Sequence, residues 1–130
     1  MNVIDSSIES VMDLIDNMDL FPAITRGALG TGRTITCEIA PSAPDEVYLD
    51  KNQYIVIDLT INAKSGNLQT LSDGLNMIHQ NLTMLKAYPK TEQWEIVDIT
   101  TITAPQVIGR EDNNEWIMAS SLGVKVYTKL

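Results

Sequence analysis

The chain contains one histidine, His79, which is the side chain best suited to acid–base catalysis. An imidazole works as a general base when a nucleophile and an orienting group lie beside it. The sequence supplies neither group at a defined spacing from His79. Because His79 lies between Ile78 and Leu82, at the edge of an apolar helical stripe, we expect a surface or boundary histidine without a catalytic role.

The single cysteine, Cys37, alternates with Ile35 and Ile39 on the apolar side of a predicted strand. This position is typical of a small buried hydrophobic residue, and no basic neighbour is implied that would stabilise a thiolate. One cysteine cannot form an intrachain disulfide. One cysteine with one histidine also argues against a Cys/His zinc site within a single chain, so we predict no metal.

Two loop sequences match ligand-binding motifs only in part. Residues Gly27 to Thr34 are rich in glycine, but the segment lacks the Gly-Lys-Ser/Thr ending of a phosphate-binding loop and does not follow a predicted strand. Residues Glu111 to Glu115 are acidic, but they lack the spaced ligands and central glycine of a calcium loop. We predict a flexible or partner-ordered loop for the first segment, a solvated turn for the second, and no cofactor.

Composition is typical of an ordinary globular domain. The chain has 130 residues, 44% of them hydrophobic, and a formal net charge of -8. A chain of this size can bury a substantial core, so we predict one domain over residues 1–130. The acidic balance argues against broad contact with nucleic-acid phosphates. No apolar run approaches the length of a membrane span and the N-terminal residues include acids, so we expect a cytoplasmic or cytoplasmically assembled protein without membrane contact.

Hydrophobic periodicity predicts two helices. Ser6 and Glu9 fit a capping box, which places the first helix from about Ser7 to Asp19. The second helix is predicted to run to about Ala87, because Pro89 stops it. Its apolar stripe, at alternating spacings of three and four, is formed by Leu68, Leu71, Leu75, Ile78, Leu82 and Leu85.

Alternating and β-branched segments predict the strands. They are Arg33 to Ala40, Asn52 to Ala63, Ile96 to Thr103 and Trp116 to Thr128, with a short strand over Gln106 to Ile108. Ala104-Pro105 is expected to interrupt the third strand, since proline cannot donate to a ladder. Loops are predicted for Asp19 to Gly32 and Pro41 to Lys51, and a turn for Gly109 to Asn114.

The order of these elements favours an α+β fold. There is no regular βαβ alternation, so we predict a mainly antiparallel sheet of four to five strands with two helices packed on one face. The face opposite the helices would carry aromatic and β-branched residues, which is typical of a docking surface. Our interface candidates, some on this face and some in loops and turns, are Glu46, Tyr48, Tyr54, Val56, Arg110, Trp116, Lys125 and Tyr127.

The C-terminal half resembles a protein family. The segments LSDGLNMIHQNLTMLKAYP and WEIVDITTITAPQVIGREDNNEWIMASSLGVKVYTK are similar to phage minor capsid proteins that belong with the tail-terminator and tail-completion proteins of long-tailed bacteriophages. The resemblance covers about the last 65 residues. The helix and two strands that precede them are compatible with it.

This resemblance implies a structural, non-enzymatic virion protein at the junction of head and tail, assembled in the host cytoplasm. Such proteins cap the finished tail tube, usually as a hexameric ring, and present a surface for the head. The implied partners are further copies of this chain, the tail-tube protein and a head-completion protein. DNA would pass through the ring without specific binding, since acidic walls disfavour phosphate. The alternative function is a small-ligand or partner-binding α+β module of a cellular protein, with the glycine-rich loop beside its site.

Overall fold

The computed structural model describes residues 3–30, 34–47 and 53–128, with the backbone alone for 41–47. Within these ranges the elements are α1 (Val3–Asn17), β1 (Thr25–Arg26), β2 (Thr34–Val47), β3 (Gln53–Ser65), α2 (Leu68–Thr83), β4 (Trp94–Arg110) and β5 (Trp116–Thr128). The strands form one five-stranded sheet in the order β1-β2-β3-β5-β4. All neighbours are antiparallel except β1 and β2. The predicted α+β fold is confirmed.

The sheet has one covered face and one open face. Leu59 of β3 and Leu122 of β5 are paired in the sheet and both are fully buried. They belong to a single core cluster with residues of α1 and α2, so both helices lie on this side, which we call the helical face. The opposite side, which carries Tyr54 and Tyr127, is the open face. Period-two alternation along the central strands produces this division.

The first helix, α1, starts at Val3, before the predicted start at Ser7. The capping-box prediction is wrong because the serines bond elsewhere. The Ser7 hydroxyl donates to the Ile4 carbonyl oxygen at 2.9 Å, a bond made within a helix. The Ser6 hydroxyl accepts from the indole N–H of Trp94 at 3.0 Å. Ser6 therefore ties α1 to the start of β4.

The second helix, α2, carries the predicted stripe on its buried side. Asn67 is its N-cap, and the Asn67 side chain accepts from the backbone N–H of Thr70 at 3.0 Å. The helix ends at Thr83, earlier than predicted. Four stripe residues are fully buried: Leu71, Leu75, Ile78 and Leu82. None of the helices in the described ranges is long and apolar enough to cross a membrane.

The loop predicted from Asp19 to Gly32 contains the short strand β1, whose Thr25 and Arg26 pair with β2. Contacts with α1 hold this segment in place. The backbone N–H of Ile24 donates to an Asp16 carboxylate oxygen at 2.8 Å, and Arg26 forms an ion pair with Asp5 at 2.8 Å. A strand of two residues is too short to be detected from the periodicity of hydrophobic residues.

The loop predicted from Pro41 to Lys51 is wrong in its first part. The backbone of β2 continues through Val47 and stays paired with β3, with register irregularities around Pro41 and Pro44. β1 pairs only with Thr36 and Cys37, so the part of β2 around Pro41 and Pro44 has β3 as its one described neighbour. Prolines are tolerated on an edge of this kind. Residues 48–51 lie outside the described residues.

The interruption predicted at Ala104-Pro105 is also wrong, because β4 is continuous from Trp94 to Arg110. β4 is the outermost strand on its side of the sheet. Pro105 falls at a shift in register with β5, between Thr103 and Gln106, and edge strands tolerate proline at such irregularities. The separate short strand predicted over Gln106 to Ile108 is therefore part of β4.

Candidate interaction surfaces

Four interface candidates come together at one end of the open face. Tyr54 pairs with Tyr127 across β3 and β5, and their ring centroids are 5.0 Å apart. The next open-face pair is Val56 with Lys125, and the Lys125 ammonium lies 4.6 Å from the centroid of the Tyr54 ring. This distance is within the range of a cation–π interaction. All four side chains are half-buried, so this group of four, which we call the tyrosine group, is a preformed, partly apolar surface.

Arg110 and Trp116 form a second group, at the last pair of residues before the turn of the β4–β5 hairpin. The Arg110 guanidinium carbon lies 4.9 Å from the centroid of a Trp116 ring, and Arg110 donates to the Asn114 side chain at 2.7 Å. Trp116 also packs against the core cluster of the helical face. These two candidates therefore belong to a different surface from the tyrosine pair.

The remaining two candidates have no described side chain. The backbone of Glu46 pairs with Tyr54, which places it beside the tyrosine group. Tyr48 lies outside the described residues. The structure thus brings four candidates together, separates two others, and places one by its backbone.

The hairpin turn from Glu111 to Glu115 is anchored to the sheet. Lys64 of β3 is 3% exposed, and its ammonium donates to a Glu111 carboxylate oxygen at 3.1 Å. A buried lysine requires a partner of this kind. The turn is solvated as predicted, with Asp112, Asn113 and Asn114 exposed. The ion pair between Glu111 and Lys64 joins distant segments, so the sequence did not show it. Among the described residues, no group of three His, Cys, Asp or Glu side chains could hold a metal ion.

His79 is buried, which corrects the expected surface or boundary position. Its Nδ1 lies 2.9 Å from the Thr101 hydroxyl of β4, so it links α2 to β4. Its Nε2 is buried and has no hydrogen-bond partner among the side chains and backbone that the structure describes. Burial lowers the pKa of His79, which favours the neutral ring. To act as a base on the Thr101 hydroxyl, His79 would also need an orienting group on Nε2. The described residues provide none, so a structural role of His79 is favoured.

Cys37 is fully buried, as its strand position predicts. Burial raises the pKa of the Cys37 thiol and so favours the protonated form. In the glycine-rich segment, the backbone N–H of Gly27 donates to the Cys37 carbonyl oxygen at 3.1 Å, and Gly27 has a positive φ of 113°. That angle favours glycine. Residues 31–33 of the segment lie outside the described residues.

The sequence did not reveal a set of exposed aliphatic side chains on the outer strand. We call these residues the β4 ridge: Val97, Ile102, Val107 and Ile108. They do not share one face, since Val107 pairs with the buried Met118 on the helical face while Ile102 lies over Gly123 on the open face. These side chains are 37%, 52%, 47% and 57% exposed. Three of them occupy shifts in register with β5 and have no paired residue there: Val97, Ile102 and Ile108. Bulges re-aim side chains at sheet edges. The β-branched composition was visible in the sequence, but the edge position of β4 was not.

A groove lies between the C-terminal ends of α1 and α2, with a volume of about 490 Å³. We call it the helix-end groove. Met84 is its most exposed apolar side chain, at 72%. Asn81 of α2 contacts the Met18 sulfur at 3.7 Å. Its described lining residues, none of which is charged, are Leu14, Asn17, Met18, Gln80, Asn81, Leu82, Met84 and Leu85.

Comparison with known proteins identifies a related fold. No family model matches the chain, and no curated protein matches its sequence. Among solved structures, the chain is similar to one from the virion of a native gene transfer agent particle, with a TM-score of 0.55 and 10% sequence identity. The match covers 91% of this chain and 85% of that chain. Since both chains are covered over most of their length, the likeness extends to the whole fold.

Proposed function

We propose that this chain is a structural protein of a phage or phage-like virion. The observation that carries the proposal is the fold similarity to a chain of a gene transfer agent virion, which spans 91% of this chain. That virion is a phage-like particle. This is the class of protein expected from the resemblance of the C-terminal half.

Within the virion, we place the chain at the junction of head and tail. There, copies of the chain associate into a ring, with six copies as the expected number, that caps the tail tube and presents a surface to a head-completion protein. The activity consists of docking, and the tyrosine group of the open face is a surface suited to it: Tyr54 and Tyr127 are half-buried, preordered aromatic side chains. The net charge of -8 supports a ring through which DNA passes without being retained.

The test combines solution size with binding to tube ends. The purified chain is measured by sedimentation velocity over a range of concentrations, alone and with tubes assembled from the tail-tube protein encoded in the same genome. We expect a ring-sized species, and electron microscopy should show added density at tube ends. Tubes from an unrelated phage are the control. A chain that stays monomeric and never binds tube ends would contradict the proposal, and decoration along tube sides would contradict capping.

A further inference from the structure

We propose that the tyrosine group binds an extended, basic segment of a different protein, in which arginine or lysine occupies alternate positions. The tyrosine group consists of Tyr54, Val56, Lys125 and Tyr127. The inference rests on the proposed function for its setting, in which the partner is another protein of the virion. The binding itself can be tested with a peptide and requires no tail tube.

The tyrosine rings already bind a cation within the chain. The Lys125 ammonium lies 4.6 Å from the centroid of the Tyr54 ring, and the Tyr127 ring centroid lies 5.0 Å from the same point. Both tyrosines are half-buried, so part of each side chain remains open to solvent. The face of an aromatic ring attracts ammonium and guanidinium groups, most often that of arginine. A basic partner would use the chemistry that Lys125 already uses.

Carboxylates lie beside the tyrosine group. Directly paired residues of antiparallel strands share one face of the sheet, and on β4 Glu95 pairs with Tyr127 while Asp98 pairs with Lys125. Asp58 of β3 lies on the same face, one pair further along. Among the described side chains of these pairs, three carboxylates accompany one ammonium. The surface therefore keeps a net negative charge whichever carboxylate Lys125 contacts.

Asp58 has a specific need for a cation. One of its carboxylate oxygens is buried and accepts no hydrogen bond from the residues that the structure describes. Removing a carboxylate oxygen from water without a donor costs free energy, and a positive charge nearby offsets part of that cost. A guanidinium or ammonium bound over this part of the open face would therefore stabilise Asp58.

The spacing of the carboxylates favours an extended partner. Successive pairs on one face of a sheet lie about 7 Å apart along the strands, which is also the spacing of alternate residues in an extended segment. Asp58, Asp98 and Glu95 belong to three successive open-face pairs. Their partners on β5 are the alternate residues Gly123, Lys125 and Tyr127. Basic side chains at alternate positions of an extended segment would match this spacing.

The occupant is a different protein because this chain has no segment of that kind. None of its nine basic residues lies two positions from another. Two chains of net charge -8 also repel each other, which disfavours a second copy. Nucleic acids and anionic membranes are disfavoured as well, because their phosphates would face the carboxylates. A basic protein segment complements both the charge and the aromatic rings.

The first experiment measures binding of a short peptide that alternates arginine with alanine. Its matched control carries citrulline in place of each arginine, which keeps the shape of the side chain and removes its charge. By isothermal titration calorimetry at low salt, we expect the full chain to bind the arginine peptide at least about 10-fold more tightly. Amide shifts in NMR spectra should locate it at the tyrosine group. Equal binding of the two peptides, or shifts confined to other surfaces, would overturn the inference.

Charge variants separate a specific site from a general attraction. Glu95→Gln/Asp98→Asn removes two carboxylates of the proposed site. The matched control, Asp13→Asn/Asp73→Asn, removes the same charge from exposed positions on α1 and α2. Thermal unfolding verifies that both variants fold. We expect the site variant to raise the dissociation constant about 10-fold and the control by less than about 2-fold. Equal effects would mean that the peptide responds only to net charge, and would overturn the inference.

The aromatic contribution is tested at Tyr127. Tyr127→Phe keeps the ring and Tyr127→Leu removes it, so only the leucine variant should weaken peptide binding, by about 3- to 10-fold. Unchanged binding in Tyr127→Leu, or the same loss in both variants, would overturn the role of the ring.

These outcomes are distinct from those for tail capping. Protein that binds the arginine peptide at the tyrosine group but ignores tube ends would contradict the capping function alone. Protein that caps tube ends but binds the arginine and citrulline peptides equally would overturn this inference alone.

Discussion

Two series of aliphatic side chains, the α2 stripe and the β4 ridge, have opposite environments in this fold. Along α2, the spacing of three and four residues places every member on one helical side, and all four central members are fully buried. Along β4, shifts in register place three aliphatic side chains at positions without a paired residue, and they remain exposed. The fully buried members of the α2 stripe are Leu71, Leu75, Ile78 and Leu82, and the members of the β4 ridge are Val97, Ile102, Val107 and Ile108.

This difference shows that residue type alone does not decide burial. Aliphatic side chains with regular spacing stabilise the fold, whereas those at irregular positions on an edge strand remain exposed. The comparison makes four predictions, each of which measures how much a position contributes to stability.

The largest effect on stability is expected from Leu75→Ala. Leu75 is fully buried beneath the sheet, so truncation leaves a cavity and should cost about 2–5 kcal/mol. Urea unfolding followed by circular dichroism measures the loss. Ile102→Ala is the matched control on the β4 ridge and should cost much less. Equal losses at the two sites would remove the distinction between the stripe and the ridge.

Gly74→Ala is expected to destabilise the protein although it lies inside a helix. Alanine normally favours a helix over glycine by about 1 kcal/mol. A Cβ at Gly74, however, would lie 2.7 Å from Cε2 of the Phe21 ring, which packs on α2. The clash should cost about 1–3 kcal/mol in chemical unfolding. In a Phe21→Leu background the same substitution should be neutral or stabilising, and a cost that persists there would rule out the ring as the cause.

His79, which lies between the stripe and β4, should make stability depend on pH. Burial lowers the pKa of His79, so the unfolded chain binds the proton more readily than the folded chain. Its contribution is fully present above the ordinary pKa of 6.5 and is lost as the pH falls below that value. The slope is at most about 1.4 kcal/mol per pH unit.

The control for this dependence is His79→Gln, since the chain contains no other histidine. Unfolding curves between about pH 7.5 and 5.5 should show a smaller loss of stability in the variant than in the wild type, because histidine alone among the side chains has an ordinary pKa in that range. Parallel curves would mean that protonation of His79 does not oppose folding.

The smallest effect on stability is expected from Ile108→Thr on the β4 ridge. Ile108 is 57% exposed and has no paired residue in β5, so the change should stay within about 0.5 kcal/mol in unfolding experiments. A loss comparable to that of Leu75→Ala would show that the ridge is part of the core.

Local patterns were sufficient to predict the main features of the fold. The spacing along α2 gave its buried side, and alternation along β3 and β5 placed Tyr54 and Tyr127 opposite the helices. The strand order was not predictable from such patterns, because it depends on pairing between distant segments. The errors at Pro41 and Pro105 share this cause, since a proline that would break an inner strand is tolerated at an edge.

The candidate surfaces were predicted less well for a related reason. Ser6 and Trp94 are 88 residues apart, and Lys64 and Glu111 are 47 apart, so no local spacing links them. His79 was misplaced because the stripe alone does not show that β4 lies on its other side. The β4 ridge required both the edge position and the shifts in register, and neither is encoded in a short segment.

The pairing of β4 sets an order of events during synthesis. Within the described sheet, β4 has one neighbouring strand, β5, which follows it in the chain, and β5 also pairs with the much earlier β3. On the ribosome, β4 therefore emerges before the strand that holds it, and contacts of such long separation form late. Until β5 has left the exit tunnel, β4 is an unpaired strand rich in β-branched residues. Unpaired strands of this kind are prone to aggregate, so the interval between the two strands is the one in which neighbouring nascent chains are most exposed to each other.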